Sequence, residues 1–432
     1  MLIATMQYGR GYSQGTERYI SMLSVGLRAA GDEVVVLGGD PEGRGAALPL
    51  GAAVDGDASL RAHPVGGPME VRGLAPEAYD ELLDELRPDV VLMCCPAHIG
   101  VGVLAAARRR KIATAVAVHD YWWTCPKHGL DHWSGRICGG DVPWRECVRC
   151  MSHQHPSATV RSLSHSSIGS MALPLLLDLN WRRKRLSAAK LRDWRGRREI
   201  LKSELRACDA VIFPSRMAQR VLAGWAEPAR EHWIPNGIEQ HWFEGPRRER
   251  NLSESVAVRP ESLTIGLAGA LTRAKGPHVV LAGLRRLDWS RARVLIAGRG
   301  LGDEYEAQLR VAASGLAVEF LGPVKSAEMP AFFDRLDLFI VPSLAAENHP
   351  IAILEATARG VAVIGSDHGG VAELLDPRNQ FRAGDADALA ERLRAWTGGS
   401  REAKPPPVIS AEEMVERTRR VFVEARNFCG AV

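Results

Sequence analysis

Short apolar runs alternate with longer stretches of helical period along most of the chain, and the series runs twice. In the first half, Leu2 to Met6, Glu33 to Leu37, Asp89 to Cys94, Thr114 to Val118 and Ala210 to Phe213 read as buried strands. A polar, charge-rich stretch from Gly245 to Glu261 interrupts it. The pattern then restarts with Leu263 to Ala268, Arg293 to Ala297, Val318 to Leu321, Leu338 to Val341 and Val361 to Gly365. Such alternation implies an α/β architecture, a parallel sheet covered by helices. At 432 residues the chain exceeds what one hydrophobic core usually holds. Two doubly wound, Rossmann-like domains are therefore expected, 1–240 and 263–405, joined by a linker at 241–262, with a closing helix at 408–432.

Open parallel sheets bind ligands beyond the carboxyl ends of their strands. The glycine-bearing or polar turns fall at those ends: Gly9-Arg10-Gly11, His119-Asp120, Gly269 to Gly276, Gly298-Arg299-Gly300 and Gly365 to Gly370. A cleft between the two domains is the expected active site. Hydrophobic content of 46% and charged content of 25% are ordinary globular values, and a net charge of +4 is too small to indicate a nucleic-acid protein. The start, Met1-Leu2-Ile3-Ala4-Thr5-Met6, runs into a first strand rather than a basic leader, so a cytoplasmic protein is expected. The apolar region from Val90 to Ala107 is divided by Pro96, His98 and glycines into strand, turn and short helix, not a transmembrane span.

The segment Glu347-Asn348-His349-Pro350-Ile351-Ala352-Ile353-Leu354-Glu355 places two carboxylates around a helix start. Pro350 is read at the first helical position, where no N–H is lost, and Gly360 as the left-handed residue that ends the helix. Glu347 then lies beside unpaired amides and the positive dipole end, with Glu355 more than a turn along. One carboxylate can accept sugar hydroxyls and the other those of a ribose. Lys275 follows a strand by a short loop and precedes a helical run, which aims its ammonium toward the carboxyl end of the sheet.

In chain order stand Gly15-Thr16-Glu17, His119-Asp120, Ile234-Pro235-Asn236-Gly237-Ile238, Gly269-Ala270-Leu271 leading to Lys275-Gly276, Ala297-Gly298-Arg299-Gly300, Leu321-Gly322, the Glu347/Glu355 segment and Gly369-Gly370-Val371-Ala372-Glu373. This series resembles the family 4 glycosyltransferases of the GT-B fold. The resemblance implies two domains facing a central cleft, a closing helix that crosses back to the first domain, and a nucleoside-diphosphate sugar as co-substrate. It further implies a hydroxyl acceptor (glycan, lipid-linked or small molecule), retention of anomeric configuration and no catalytic divalent metal. His119, Lys275 and Glu347 become the expected catalytic residues. Gly15, Arg273, Lys275, Gly298, Arg299, Glu347, Asn348, Glu355, Gly369 and Gly370 become the expected donor-binding set, with backbone N–H groups of Gly15, Gly369 and Gly370 near the donor. Similar enzymes carry an arginine after the glycine matching Gly269. Here Ala270 stands there, and Arg273 or Arg299 is the candidate replacement.

Cys125, Cys138, Cys147 and Cys150 fall within 26 residues as Cys-x12-Cys-x8-Cys-x2-Cys, in a loop at 119–156. Thiols of a cytoplasmic chain stay reduced, so the set reads as a structural site for zinc or a [4Fe–4S] cluster rather than as disulfides. His128, His132, His153 or His155 could replace one cysteine. From Trp181 to Lys202 there are ten basic and two acidic residues, with Trp181, Leu186, Leu191 and Trp194 interspersed. This segment suits either an anionic membrane surface, reached peripherally from the cytoplasmic side, or a solvated face. The favoured function is a glycosyltransferase of cell-surface polysaccharide or glycoconjugate synthesis. The rivals are a nucleotide-sugar epimerase of the same architecture and a metal-stabilised nucleic-acid-binding protein.

Overall fold

The structure, a computed structural model, describes residues 1–8, 15–39, 50–54, 57–66, 70–153, 188–244, 263–287, 292–300, 303–399 and 405–430, with residues 162 and 289. It divides into two compact units, Met1–Pro235 with Glu412–Val432, and Asn236–Ala411. Gly9-Arg10-Gly11, most of the stretch read as a linker, and residues 181–187 of the basic segment lie outside the described residues.

The first unit is built on an eight-stranded sheet. Its strands are β1 (Leu2–Thr5), β2 (Val35–Gly38), β3 (Ala53–Val54), β4 (Asp57–Ala62), β5 (Val90–Cys95), β6 (Ala113–Ala117), β7 (Ala210–Phe213) and β8 (Glu231–Trp233), in the order β3-β4-β2-β1-β5-β6-β7-β8. All pairings are parallel except β3 with β4. Strands β1, β5, β6 and β7 are buried along their whole length, which requires a helix layer on each face. Helix Gly15–Ala29 supplies part of one layer, burying Tyr19, Ile20, Leu23 and Leu27. Gly26 lets the closing helix Ala411–Gly430 approach it, since a Cβ there would lie 2.6 Å from Val415. Arg419 of that helix pairs with Asp32 at 2.9 Å.

The second unit opens with β9 (Gly237–Ile238) and carries a six-stranded sheet. Its strands are β10 (Thr264–Ala268), β11 (Arg293–Ala297), β12 (Val318–Gly322), β13 (Leu338–Val341), β14 (Ala362–Ser366) and β15 (Gln380–Phe381), in the order β12-β11-β10-β13-β14-β15 and parallel throughout. A last short strand, β16 (Ile409–Ser410), pairs with β9. The sheet runs one way from β10 to β12 and the other from β13 to β15. The β10/β13 boundary is thus a topological switch point, where a crevice forms at the carboxyl ends. One face of the sheet packs on a core containing Ile265, Val294, Ile296, Ile340, Leu281, Leu389 and Trp396.

Helix Ile351–Ala358 follows β13, and here the structure departs slightly from expectation. Pro350 is the N-cap, extended at ψ 110°, not the first helical residue. The end is as the sequence indicates: Gly360 is left-handed (φ 71°), its N–H donates to Thr357 O (3.0 Å) and that of Val361 to Ala356 O (2.9 Å). This double closure is a Schellman motif. Arg359 at the cap is buried and makes a forked contact with Asp334, both bonds 2.8 Å, and donates to Glu244 O. Arg359→Met is expected to lower stability by about 2 kcal/mol, since Asp334 is left half-buried and unpaired. Urea unfolding midpoints of the two proteins test this.

Candidate active site

At the β10/β13 switch point a pocket of ≈ 480 Å³, open mouth included, is lined by Gly269, Ala270, Lys275, Ser343, Glu347 and Ala352 among others. Two segments build it. After β10, Thr272 caps a 3-10 turn at Arg273–Lys275 by accepting from Lys275 N (3.3 Å). Gly276 then turns left-handed (φ 70°), with Pro342 O where a Cβ would sit at 2.0 Å, and Pro277 starts the next helix. After β13, residues 342–350 run alongside. Leu344 and Ala345 both donate to Ala274 O (2.7 and 3.2 Å), fastening the two segments together.

This fastening brings Lys275 Nζ to 2.6 Å from Glu347 Oε1, which also accepts from Ser343 Oγ at 2.6 Å. Desolvation pushes the Glu347 carboxyl up. The Lys275 charge and hydrogen bond, the Ser343 hydroxyl and the charge of His368 outweigh it and hold the acid below its ordinary range. Ser343 and His368 were not singled out by sequence. A hydroxyl within a Pro-Ser-Leu turn carries no distinguishing pattern, and neither does a histidine before a glycine pair.

Of the glycine pair, Gly370 has its amide engaged within the protein. The Gly370 N–H donates to Glu347 O at 2.7 Å, so in this conformation it braces the loop instead of facing a ligand. A Cβ on Gly370 would lie 1.6 Å from Asn348 O, and one on left-handed Gly369 2.8 Å from Glu347 O. Both positions therefore need glycine for backbone to pack on backbone. Gly298 serves likewise: at φ 144° its absent Cβ leaves room for Gly269 O.

Neither candidate replacement for the arginine lines the pocket. Arg273 is held by Gln308 (2.7 Å) and stacks over Tyr305 at 5.1 Å, whereas Arg299 is exposed and its carbonyl accepts from Leu271 N. The side-chain cation of the pocket, among the described residues, is Lys275. Asn348 and Glu355 are buried, the latter only 2% exposed on a helix whose other residues, Thr357 apart, are apolar. Glu355 follows the pocket residue Ala352 by three positions and so shares its side of the helix. Burying a carboxylate is costly unless it is paired or hydrogen-bonded, and Glu355 is not without a partner. His349 is also buried; its backbone O accepts from Asn236 Nδ2 (3.0 Å) and its Nδ1 has no partner.

His119 and Gly15 belong to the first unit. Gly15 is the exposed first residue of its helix, and His119 follows β6 with its ring 3.8 Å from that of Tyr19. Asp120 accepts from Trp122 N (2.9 Å), from Cys95 Sγ (3.2 Å) and from His128 Nδ1 (2.8 Å).

The four clustered cysteines gather in this unit as free thiols. Each lies close enough to the other three for their charges to interact. Amides point at three of the sulfurs: Lys127 and Leu130 at Cys125, Gly140 at Cys138 (3.4 Å) and Trp133 at Cys150 (3.4 Å). Burial pushes the Cys125, Cys147 and Cys150 thiols up, Cys147 to about 12, and the N–H donors oppose this only in part; with no ion the sulfurs are held as thiols, and four of them with such donors are the kind of set a thiolate-bound ion uses. Among the described residues, the trio whose ligand atoms all lie within 4.8 Å is instead Cys95, Asp120 and His128. His128 is committed to Asp120, and His132 to Ser134 (2.7 Å) with Glu146 at 3.5 Å. His155 lies outside the described residues.

Two family models match, "Glycosyl transferase 4-like domain" over residues 14–153 and "Glycosyl transferases group 1" over residues 262–397. The chain belongs to the family 4 glycosyltransferases. Among relatives of this family, the amylovoran biosynthesis glycosyltransferase AmsK of Erwinia amylovora is 31% identical over 51% of this chain and 57% of its own length. The lipopolysaccharide core biosynthesis mannosyltransferase LpsB of Rhizobium meliloti is 27% identical over 49% of this chain and 71% of its own. For WcaL, a putative colanic acid biosynthesis glycosyltransferase of Escherichia coli, the matched share is 39%. The chain thus spans about half the length of the relatives it matches. In fold it is similar to Anabaena HepE in complex with UDP-glucose (TM-score 0.56, 14% identity, 100% of both chains) and to WaaG, a lipopolysaccharide glycosyltransferase (0.53, 13%, 100% and 99%). These likenesses establish the GT-B fold.

Burial holds His349 neutral, with its value lowered from 6.5 to about 4. The unfolded chain then binds the proton first, so stability is full above pH 6.5 and is lost as pH falls toward 4. His349→Gln should remove roughly 3 kcal/mol of that pH dependence, read as urea midpoints across the window.

Proposed function

We propose that this chain transfers a sugar from a nucleoside-diphosphate sugar to a hydroxyl acceptor, with retention of anomeric configuration, in the assembly of cell-surface polysaccharide or glycoconjugate. The observation that carries the reading is the Lys275–Glu347 pair on the wall of the switch-point pocket. Lys275 is the fixed ammonium that stabilises the diphosphate as negative charge grows on it. Its partner carboxylate holds it oriented before the donor arrives. Glu347 accepts hydroxyls of the donor sugar, and Glu355 those of the ribose. Asn348, Gly298, Gly369 and Gly370 shape the donor loops; Gly15 and His119 contribute from the first unit, His119 as a contact to the donor sugar. Arg273 and Arg299 stay in the proposed set as side chains able to swing in when a diphosphate binds. The relatives' roles in amylovoran and lipopolysaccharide core biosynthesis support the choice of pathway class, and the UDP-glucose bound to HepE supports the donor class.

The same reading gives Cys125, Cys138, Cys147 and Cys150 a structural ion, zinc or a [4Fe–4S] cluster. Four protein ligands close its coordination, so it staples the loop without taking part in the chemistry. No helix among the described residues is long and apolar enough to cross a membrane. A peripheral contact with anionic lipid remains part of the proposal for residues 181–187 and the exposed Arg192. Trp194 is not part of it, because its ring is buried.

Lys275→Met is expected to lower turnover on the order of 10²–10³-fold, as loss of one preorganised charge donor does. Glu355→Ala should weaken nucleoside-diphosphate binding in a thermal-shift panel, whereas Glu347→Ala should mainly lower kcat. Wild-type kinetics in Lys275→Met would end the reading. For the staple, anaerobically purified protein should contain stoichiometric zinc or iron. A metal-free, fully active chain would remove it.

A further inference from the structure

Arg197 is the least expected charge in the first unit. It is the first residue of helix Arg197–Ala207, following the N-cap Gly196, where a cation opposes the helix dipole. It is also only 7% exposed. Its guanidinium donates to two neutral carbonyls, Trp123 O (3.2 Å) and Trp122 O, and lies over the Trp122 ring at 4.3 Å. Its Nε has no partner, and among the described residues it forms no ion pair with a carboxylate. A buried cation left this way is strongly unfavourable. Near it lie the Asp120 carboxylate and the Cys147 and Cys125 thiols, which would carry negative charge only when deprotonated.

Protonated thiols supply no counter-charge. Four thiolates on a zinc ion, or on an oxidised [4Fe–4S] cluster, carry two net negative charges, and the amides of Lys127, Leu130, Gly140 and Trp133 already point at three of the sulfurs. Resting on the metal reading above, we infer that Arg197 is the built-in counter-cation of the four-cysteine centre and ties it to the Trp122–Trp123 backbone that follows His119. Binding is proton-balanced: a divalent ion displaces four thiol protons to solvent, leaving a dianion that the guanidinium half-compensates. Arg197 is thus a positioning residue for the centre, not a ligand.

The test strips the full-length protein of metal and titrates it with cobalt(II), read by thiolate charge-transfer absorbance and then competed with zinc. Wild type should take one ion per chain. Arg197→Met should bind it on the order of 10–100-fold more weakly, as loss of an outer-sphere partner does. Arg197→Lys, which restores the charge, should recover most of that loss. Thermal unfolding separates this role from simple packing: Arg197→Met should be less stable than wild type when loaded, but no less stable when stripped. Equal affinity in both proteins, or equal destabilisation in both states, overturns the inference while leaving the centre intact. A wild-type chain that takes up no cobalt removes the centre itself. If Arg197→Met does not fold, Arg197→Gln keeps a donor for the carbonyls without the charge and is held to the same outcomes.

Discussion

Glu347 is held from both ends, and the second unit's chemistry depends on that restraint. Its backbone carbonyl accepts from Gly370 N at 2.7 Å, and its carboxylate is clamped by Lys275 and Ser343, each at 2.6 Å. The first bond ties the loop after β13 to the turn after β14, and the second ties it to the turn after β10. Three strand ends are thereby locked around one carboxylate. A charged pair at the rim of a pocket gains from such restraint because an ammonium already oriented need not be reorganised when a diphosphate binds. The missing Cβ atoms at Gly276, Gly369 and Gly370 make this possible, since each would collide with a backbone atom of the neighbouring segment.

The same logic of close approach recurs in the first unit with different chemistry. There the loop after β6 is organised by Asp120, which collects three donors, and by the buried Arg197, which reaches the carbonyls of Trp122 and Trp123. Part of the basic segment is therefore internal architecture. Trp194 is 2% exposed and Arg197 7%, while Arg198 pairs with Asp141 and Arg195 packs over Trp144 at 5.3 Å. Composition counts charges but does not say which way they face, so a run that reads as a lipid- or solvent-facing stripe turns partly inward once a tryptophan-rich loop packs against it.

The central strands were legible because both their faces are buried, which forces unbroken apolar runs such as Val90-Val91-Leu92-Met93-Cys94-Cys95 and Leu338-Phe339-Ile340-Val341. Strands β4 and β15 were not. β4 reads Asp57-Ala58-Ser59-Leu60-Arg61-Ala62 and β15 is only Gln380-Phe381. β15 ends its sheet and β4 is followed only by the two-residue β3, and strands so far from the sheet centre need little apolar content. The two-residue pairing of β9 with β16 joins positions far apart in the chain and leaves no local trace.

Local order determined a good deal here: the doubled α/β pattern, the helix end at Gly360, the turn at Lys275-Gly276 and the spacing of Glu347 and Glu355 all follow from side-chain period and from where glycine and proline can sit. Tertiary structure alone decided which of these groups meet. It joined Lys275 to Glu347, supplied Ser343, turned Gly370's amide inward, drew Arg273 aside to Gln308 and buried Arg197 against the Trp122 and Trp123 carbonyls. Each of those outcomes depends on strands being adjacent in a sheet or loops being pressed together, and adjacency in space is set by packing of the whole unit, not by neighbours along the chain.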